Sequence, residues 1–106
     1  MIEYIGEDLR IRILLTTYNA ILGKIDPGVR LISIDWGKDY YIIKEYLDRE
    51  VVEDDYEILK SISTEVISHF PQIFKVEEFA EFSIDKVESI PPLKEMVFLR
   101  FGELEL

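Results

Sequence analysis

The chain has no cysteine among its 106 residues, which excludes disulfides and thiolate metal sites. It has one histidine, His69, so a multi-histidine metal centre cannot form within one chain. Basic residues are scarce: 12 lysines and arginines stand against 22 aspartates and glutamates, a net charge of −10. Such a surface repels phosphate, so direct nucleic-acid binding and anionic membranes are both disfavoured. A macromolecular partner is expected to be basic. No apolar run reaches the roughly 18 residues of a membrane-spanning helix. The opening MIEYIGEDLR lacks the basic start of a secretion signal, and the expected address is cytoplasmic. The P-loop and dinucleotide-binding glycine patterns are missing, so no cofactor is expected.

What is present is a chain 48% hydrophobic and 32% charged, enough for one folded domain over 1–106 with a modest core. Ile11, Leu14, Leu15, Tyr18, Leu22 and Ile25 follow a helical period, which predicts a helix over about 8–24. Asp8 reads as its N-cap and Asp26-Pro27-Gly28 as the turn that ends it. VRLISIDW and YYIIKEYLD flank Gly37-Lys38-Asp39, which predicts a β-hairpin over about 29–47. Ile32, Ile34 and Trp36 share one face of its first strand; Leu31, Ser33 and Asp35 share the other, expected to be the wetter.

From Val51 to Phe70 the helical period returns, with Val52, Tyr56, Leu59, Ile62, Val66 and Phe70 as the stripe and Pro71 as the stop. Glu50, Glu53, Asp54, Asp55 and Glu57 crowd its start, where the helix dipole favours negative charge. Phe74, Val76, Ala80, Phe82 and Ile84 then alternate as a strand, with Phe79 off parity, and MVFLRF closes the chain as a strand over about 96–101. The order is αββαββ. The expected α+β fold is a two-layer sandwich in which two hairpins merge into one four-stranded antiparallel sheet, with both helices on one face.

Candidate chemistry is sparse. His69 next to Ser68 cannot form a dyad, because neighbours on a helix do not face each other, and a histidine near a helix C-terminus is favoured by the dipole. Asp54-Asp55, Glu77-Glu78 and Asp35 with Asp39 pair carboxylates without any sign of the pocket that acid–base work needs. Asp48 to Glu57 lacks the glycine and spacing of a calcium loop. No enzyme, catalytic residue or metal site is expected.

The informative feature is an aromatic–acidic cluster on the first hairpin: Asp35, Trp36, Asp39, Tyr40, Tyr41, Glu45, Tyr46 and Asp48. Tyrosine and tryptophan anchor interfaces, and carboxylates around them would pair with lysine and arginine of a partner. Glu77, Glu78, Glu81 and Glu88 supply a second acidic surface. In size, charge and layout the chain resembles bacterial immunity proteins of the contact-dependent growth inhibition type. That resemblance implies neutralisation of a basic toxin domain, often a nuclease, by covering its cleft. The expected anchors are Trp36, Tyr40, Tyr41 and Tyr46, with Asp35, Asp39, Glu45 and Asp48 as charge partners. Trp36 shares the parity of Ile32 and Ile34 and so competes for the core. The alternatives are a small acidic regulatory protein, monomeric or weakly homodimeric through its last strand, and a DNA mimic.

Overall fold

The computed structural model describes residues 4–104. Its elements are α1 (Gly6–Ile21), β1 (Val29–Trp36), β2 (Tyr40–Leu47), α2 (Glu53–Ile67), β3 (Lys75–Phe82), a 3₁₀ turn (Val87–Ser89) and β4 (Glu95–Leu99). α1 begins earlier than its apolar period suggests: Ile5 holds the N-cap position and Asp8 sits in the first turn. It also ends before Asp26, because Gly23 takes a positive φ of 76° that breaks the helix at low cost. The β1–β2 turn closes over Gly37, where any Cβ would collide with the Tyr40 ring.

The sheet corrects the expected pairing. Its order is β3-β2-β1-β4. β1 runs antiparallel to β2 and to β4, but β2 and β3 are parallel, so the sheet is mixed. α2 is the cause: a helical crossover returns the chain to the start of β2, which permits only a parallel neighbour. β3 and β4 therefore form no hairpin. They lie on opposite edges, joined by residues 83–94.

Both helices cover one face. Ile13 and Ala20 of α1 and Leu59, Ile62 and Val66 of α2 share a core with Ile32, Ile34, Trp36, Tyr41, Ile43 and Leu47. α2 packs on β2 and β3, while α1 reaches β4. The opposite face is not the wet surface that its polar alternation suggests. Residues 83–94 cross it, burying Val87 and Ile90 on Leu31 and Tyr46. Leu93 donates its backbone N–H to the buried Ser33 Oγ at 2.9 Å.

α1 departs most from its predicted packing. Ile11, Leu15, Tyr18 and Leu22, read from the sequence as the core stripe, are exposed. The buried side is Leu9, Ile13, Leu14, Thr17, Ala20 and Ile21. Two apolar stripes coexist on this helix, and only one faces the sheet.

Candidate partner-binding surface

The fold divides the eight residues predicted to meet a partner. Trp36, Tyr41, Glu45 and Tyr46 are buried. β1 and β2 are the two central strands, covered by helices on one side and by residues 83–94 on the other. Side chains of either parity are thus drawn inside. Tyr41 shares a hydrogen bond with Thr17 of α1 at 2.9 Å between hydroxyls, and burial pushes its phenol pKa up. The Tyr46 hydroxyl donates to the Pro91 carbonyl at 3.3 Å. These four are not available to a partner on the folded chain.

Glu45 is the most unusual of them. It lies opposite Ile32 on the helix-covered face, 3% exposed. Burial, reinforced by the Asp55 carboxylate, pushes its pKa up to about 7. Asp35, Asp39 and Tyr40 remain half-exposed at the β1–β2 turn, beside the start of β3, where Phe74 N–H donates to the Asp39 carbonyl at 3.1 Å. Asp48 is exposed at the far end of the hairpin and is held by Arg100 at 2.8 Å.

Elsewhere cations neutralise many of the acids. Glu103 binds Arg30 and Arg100, each at 2.8 Å, Lys44 pairs with Glu81, and Lys94 approaches Asp35. In contrast, Glu50, Glu53, Asp54 and Glu57 at the start of α2, and Glu77 and Glu78 on β3, form no ion pair among the described residues. α2 and β3 are in contact, which brings Glu53, Glu57 and Glu78 to one side of the molecule, whereas Glu77 points to the other face of the sheet and Glu50 and Asp54 line a separate groove with Asp26 and Arg49. Glu53, Tyr56, Glu57, Lys60 and Glu78 line a shallow groove of about 370 Å³ there. Tyr56 is partly exposed and donates its hydroxyl to the Ala80 carbonyl at 3.3 Å, and Phe82 is exposed at the end of β3.

A buried device holds this acidic helix start in place. Asp55 accepts two bonds from Arg49, at 2.7 and 2.9 Å, and one from the Val52 N–H at 2.8 Å. The Arg49 guanidinium, above all, holds the Asp55 carboxyl below its usual range. Asp55 thus serves as cap and ion-pair partner, whereas its neighbours Glu53, Asp54 and Glu57 face solvent. Sequence reading assigned the whole run to the helix dipole. The missing signal was the parallel placement of β3, which sets Glu78 beside Glu53 and Glu57.

The sequence matches the family model of the MafI2 immunity protein over residues 10–102. The chain belongs to that family. No curated protein matches it in sequence. A MafI2 immunity protein neutralises a toxin, and its partner is that cognate toxin. The toxin-immunity reading therefore stands over the regulatory one. The family belongs to a different system from the contact-dependent growth inhibition type that the layout resembles. Immunity proteins are generally non-enzymatic.

Proposed function

We propose that this MafI2 protein neutralises a toxin with a basic, phosphate-binding cleft, a nuclease, by laying its α2–β3 side across that cleft. The observation that carries the reading is the groove where Glu53, Glu57 and Glu78, which form no ion pair among the described residues, surround the accessible Tyr56 beside Lys60, with Phe82 exposed at the end of β3. Fields of one sign steer an oppositely charged partner and raise association rates by about 10–10³-fold. Aromatic side chains then supply the desolvated anchors. Asp35, Asp39 and Tyr40 form a separate half-exposed patch at the other end of the β2–β3 pair. Binding is one-to-one and takes place in the cytoplasm.

The test is association kinetics with the cognate toxin domain. Glu53→Lys combined with Glu57→Lys should slow association by roughly 10–100-fold at low salt, and the deficit should shrink at about 0.5 M salt. A matched pair on the 83–94 segment, Asp85→Lys with Glu88→Lys, should change it far less. Equal effects of the two pairs would reduce the surface to net charge. No effect of the first pair would move the interface elsewhere.

A further inference from the structure

β3 is an edge strand whose outer side pairs with no other strand among the described residues. It runs from Lys75 to Phe82 and follows β2 along its whole length without a register shift. Lys75 N–H donates to the Asp39 carbonyl at 3.2 Å, and Ser83 N–H to the Leu47 carbonyl at 2.9 Å. Main-chain groups alternate in direction along a strand, so the odd-numbered residues from 75 to 83 are the ones bonded to β2. The N–H and C=O groups of Val76, Glu78, Ala80 and Phe82 therefore point away from the sheet. The Tyr56 hydroxyl, which reaches the Ala80 carbonyl at 3.3 Å, marks that direction and screens the far end of the edge. The main-chain groups of Val76 and Glu78 have no partner among the described residues.

Edge strands are guarded by shortness, proline, a bulge or charge. β4, the opposite edge, is five residues long, and its register with β1 shifts between Ile32 and Ser33. β3 has neither a bulge nor a proline. Its guard is charge, Glu77, Glu78 and Glu81 against Lys75 alone. That guard works against a second copy of the chain. Two β3 edges related by a twofold axis pair antiparallel, with outward-pointing residues opposite one another. A register centred on Glu77 or on Glu78 sets that glutamate against its own copy. A register centred on Phe79 sets Glu77 against Glu81. Like charges directly opposite destabilise a strand pair. A strand bearing lysine or arginine at those places is favoured instead. Lys44 already occupies Glu81, so Glu77 on one face and Glu78 on the other are the charges left for it.

We infer that the outer edge of β3 receives a strand of the cognate toxin, which bonds the main chain of Val76 and Glu78 and sets basic side chains opposite Glu77 and Glu78. Resting on the reading that a basic toxin meets the α2–β3 side, this pairing specifies how the two chains join. Main-chain bonds supply affinity that no single side chain controls, and the carboxylates select the sign of the strand that enters.

The experiment is amide hydrogen exchange, residue by residue, on the full chain alone and bound to the cognate toxin domain. In the free chain the amides of Glu77, Phe79 and Glu81, bonded to β2, should exchange slowly and those of Val76 and Glu78 fast. Binding should slow Val76 and Glu78 by on the order of tenfold or more, which ends the alternation. Two variants supply the second arm. Glu78→Ala and Glu78→Pro both remove the carboxylate, but only proline removes the outward N–H. An edge strand tolerates proline there because that N–H lies outside the β2 ladder, and far-UV circular dichroism should match the parent. Proline should weaken toxin binding about tenfold beyond alanine. If proline unfolds the chain, the exchange arm decides alone. Val76 and Glu78 amides that stay fast in the complex overturn the pairing. So does slowing with no extra loss in a folded proline variant, which would mean burial without pairing. Fast amides together with slowed association in Glu53→Lys with Glu57→Lys would leave the groove reading standing and remove only the strand pairing. No response in either would remove both.

Discussion

α1 and α2 lie on the same face of one sheet, yet their outer surfaces share little. α1 shows solvent three large apolar side chains, Ile11, Leu15 and Tyr18, and no carboxylate beyond its first turn. α2 shows Glu53, Asp54 and Glu57. Their termini differ as well. α2 is fastened by Asp55 and Arg49, whereas no side chain caps α1. The fold thus specifies only the inner face of each helix. The outer faces are left to other constraints, and the chain has given them opposite chemistry.

That contrast can be broken most severely at the fastening of α2. Asp55→Ala removes a cap and leaves Arg49 facing the remaining acids, and should cost about 2–3 kcal/mol of folding stability. Chemical denaturation should show this loss together with weakened toxin binding. Retained stability would mean that α2 holds its position without the pair.

Glu45 sharpens the comparison through pH. Its pKa is raised from the ordinary 4.5 to about 7 in the folded chain. The folded state therefore binds more protons than the unfolded state between those values. Stability from this group is complete below pH 4.5, falls as pH rises toward 7, and stays reduced above it. Glu45→Gln should raise stability by about 2 kcal/mol at pH 8 and by little at pH 4. Asp55 acts in the opposite direction: its carboxyl pKa is lowered, so its contribution is present at neutral pH and lost as pH falls below its ordinary 3.8. A Glu45→Gln difference that ignored pH would show that Glu45 is hydrated in the fold. The smallest effect belongs to the outer face of α1, where Leu15→Ser should change monomer stability by less than about 0.5 kcal/mol. A larger loss would mean that the stripe contributes to the core.

The local elements were legible in the sequence because local physics forms them. The β-branched run before Gly37 marked the hairpin, and Leu59, Ile62 and Val66 marked the inner side of α2. What a periodicity cannot convey is which of two apolar stripes turns inward. On α1 the longer match, through Leu15, Tyr18 and Leu22, was the outer one. Strand pairing was equally hidden, because alternation in β3 is the same whether its neighbour is parallel or antiparallel. The candidate site suffered from both gaps. An anchor at Tyr46 presupposed an open sheet face, which the crossing of residues 83–94 removes, while Trp36 and Tyr41 lie on the other face, in the core beneath the helices. The immunity-protein reading, in contrast, came from size, charge and layout, and the family match supports it.

The β2–α2–β3 crossover has one more consequence. Every carboxylate assigned to the toxin-facing groove, the aromatics among them and the Arg49–Asp55 fastening lie in one uninterrupted stretch from Tyr40 to Phe82. On the proposed reading, partner specificity is written in a single contiguous segment. One recombination event across that stretch would exchange the toxin recognised and leave α1 and β4 unchanged.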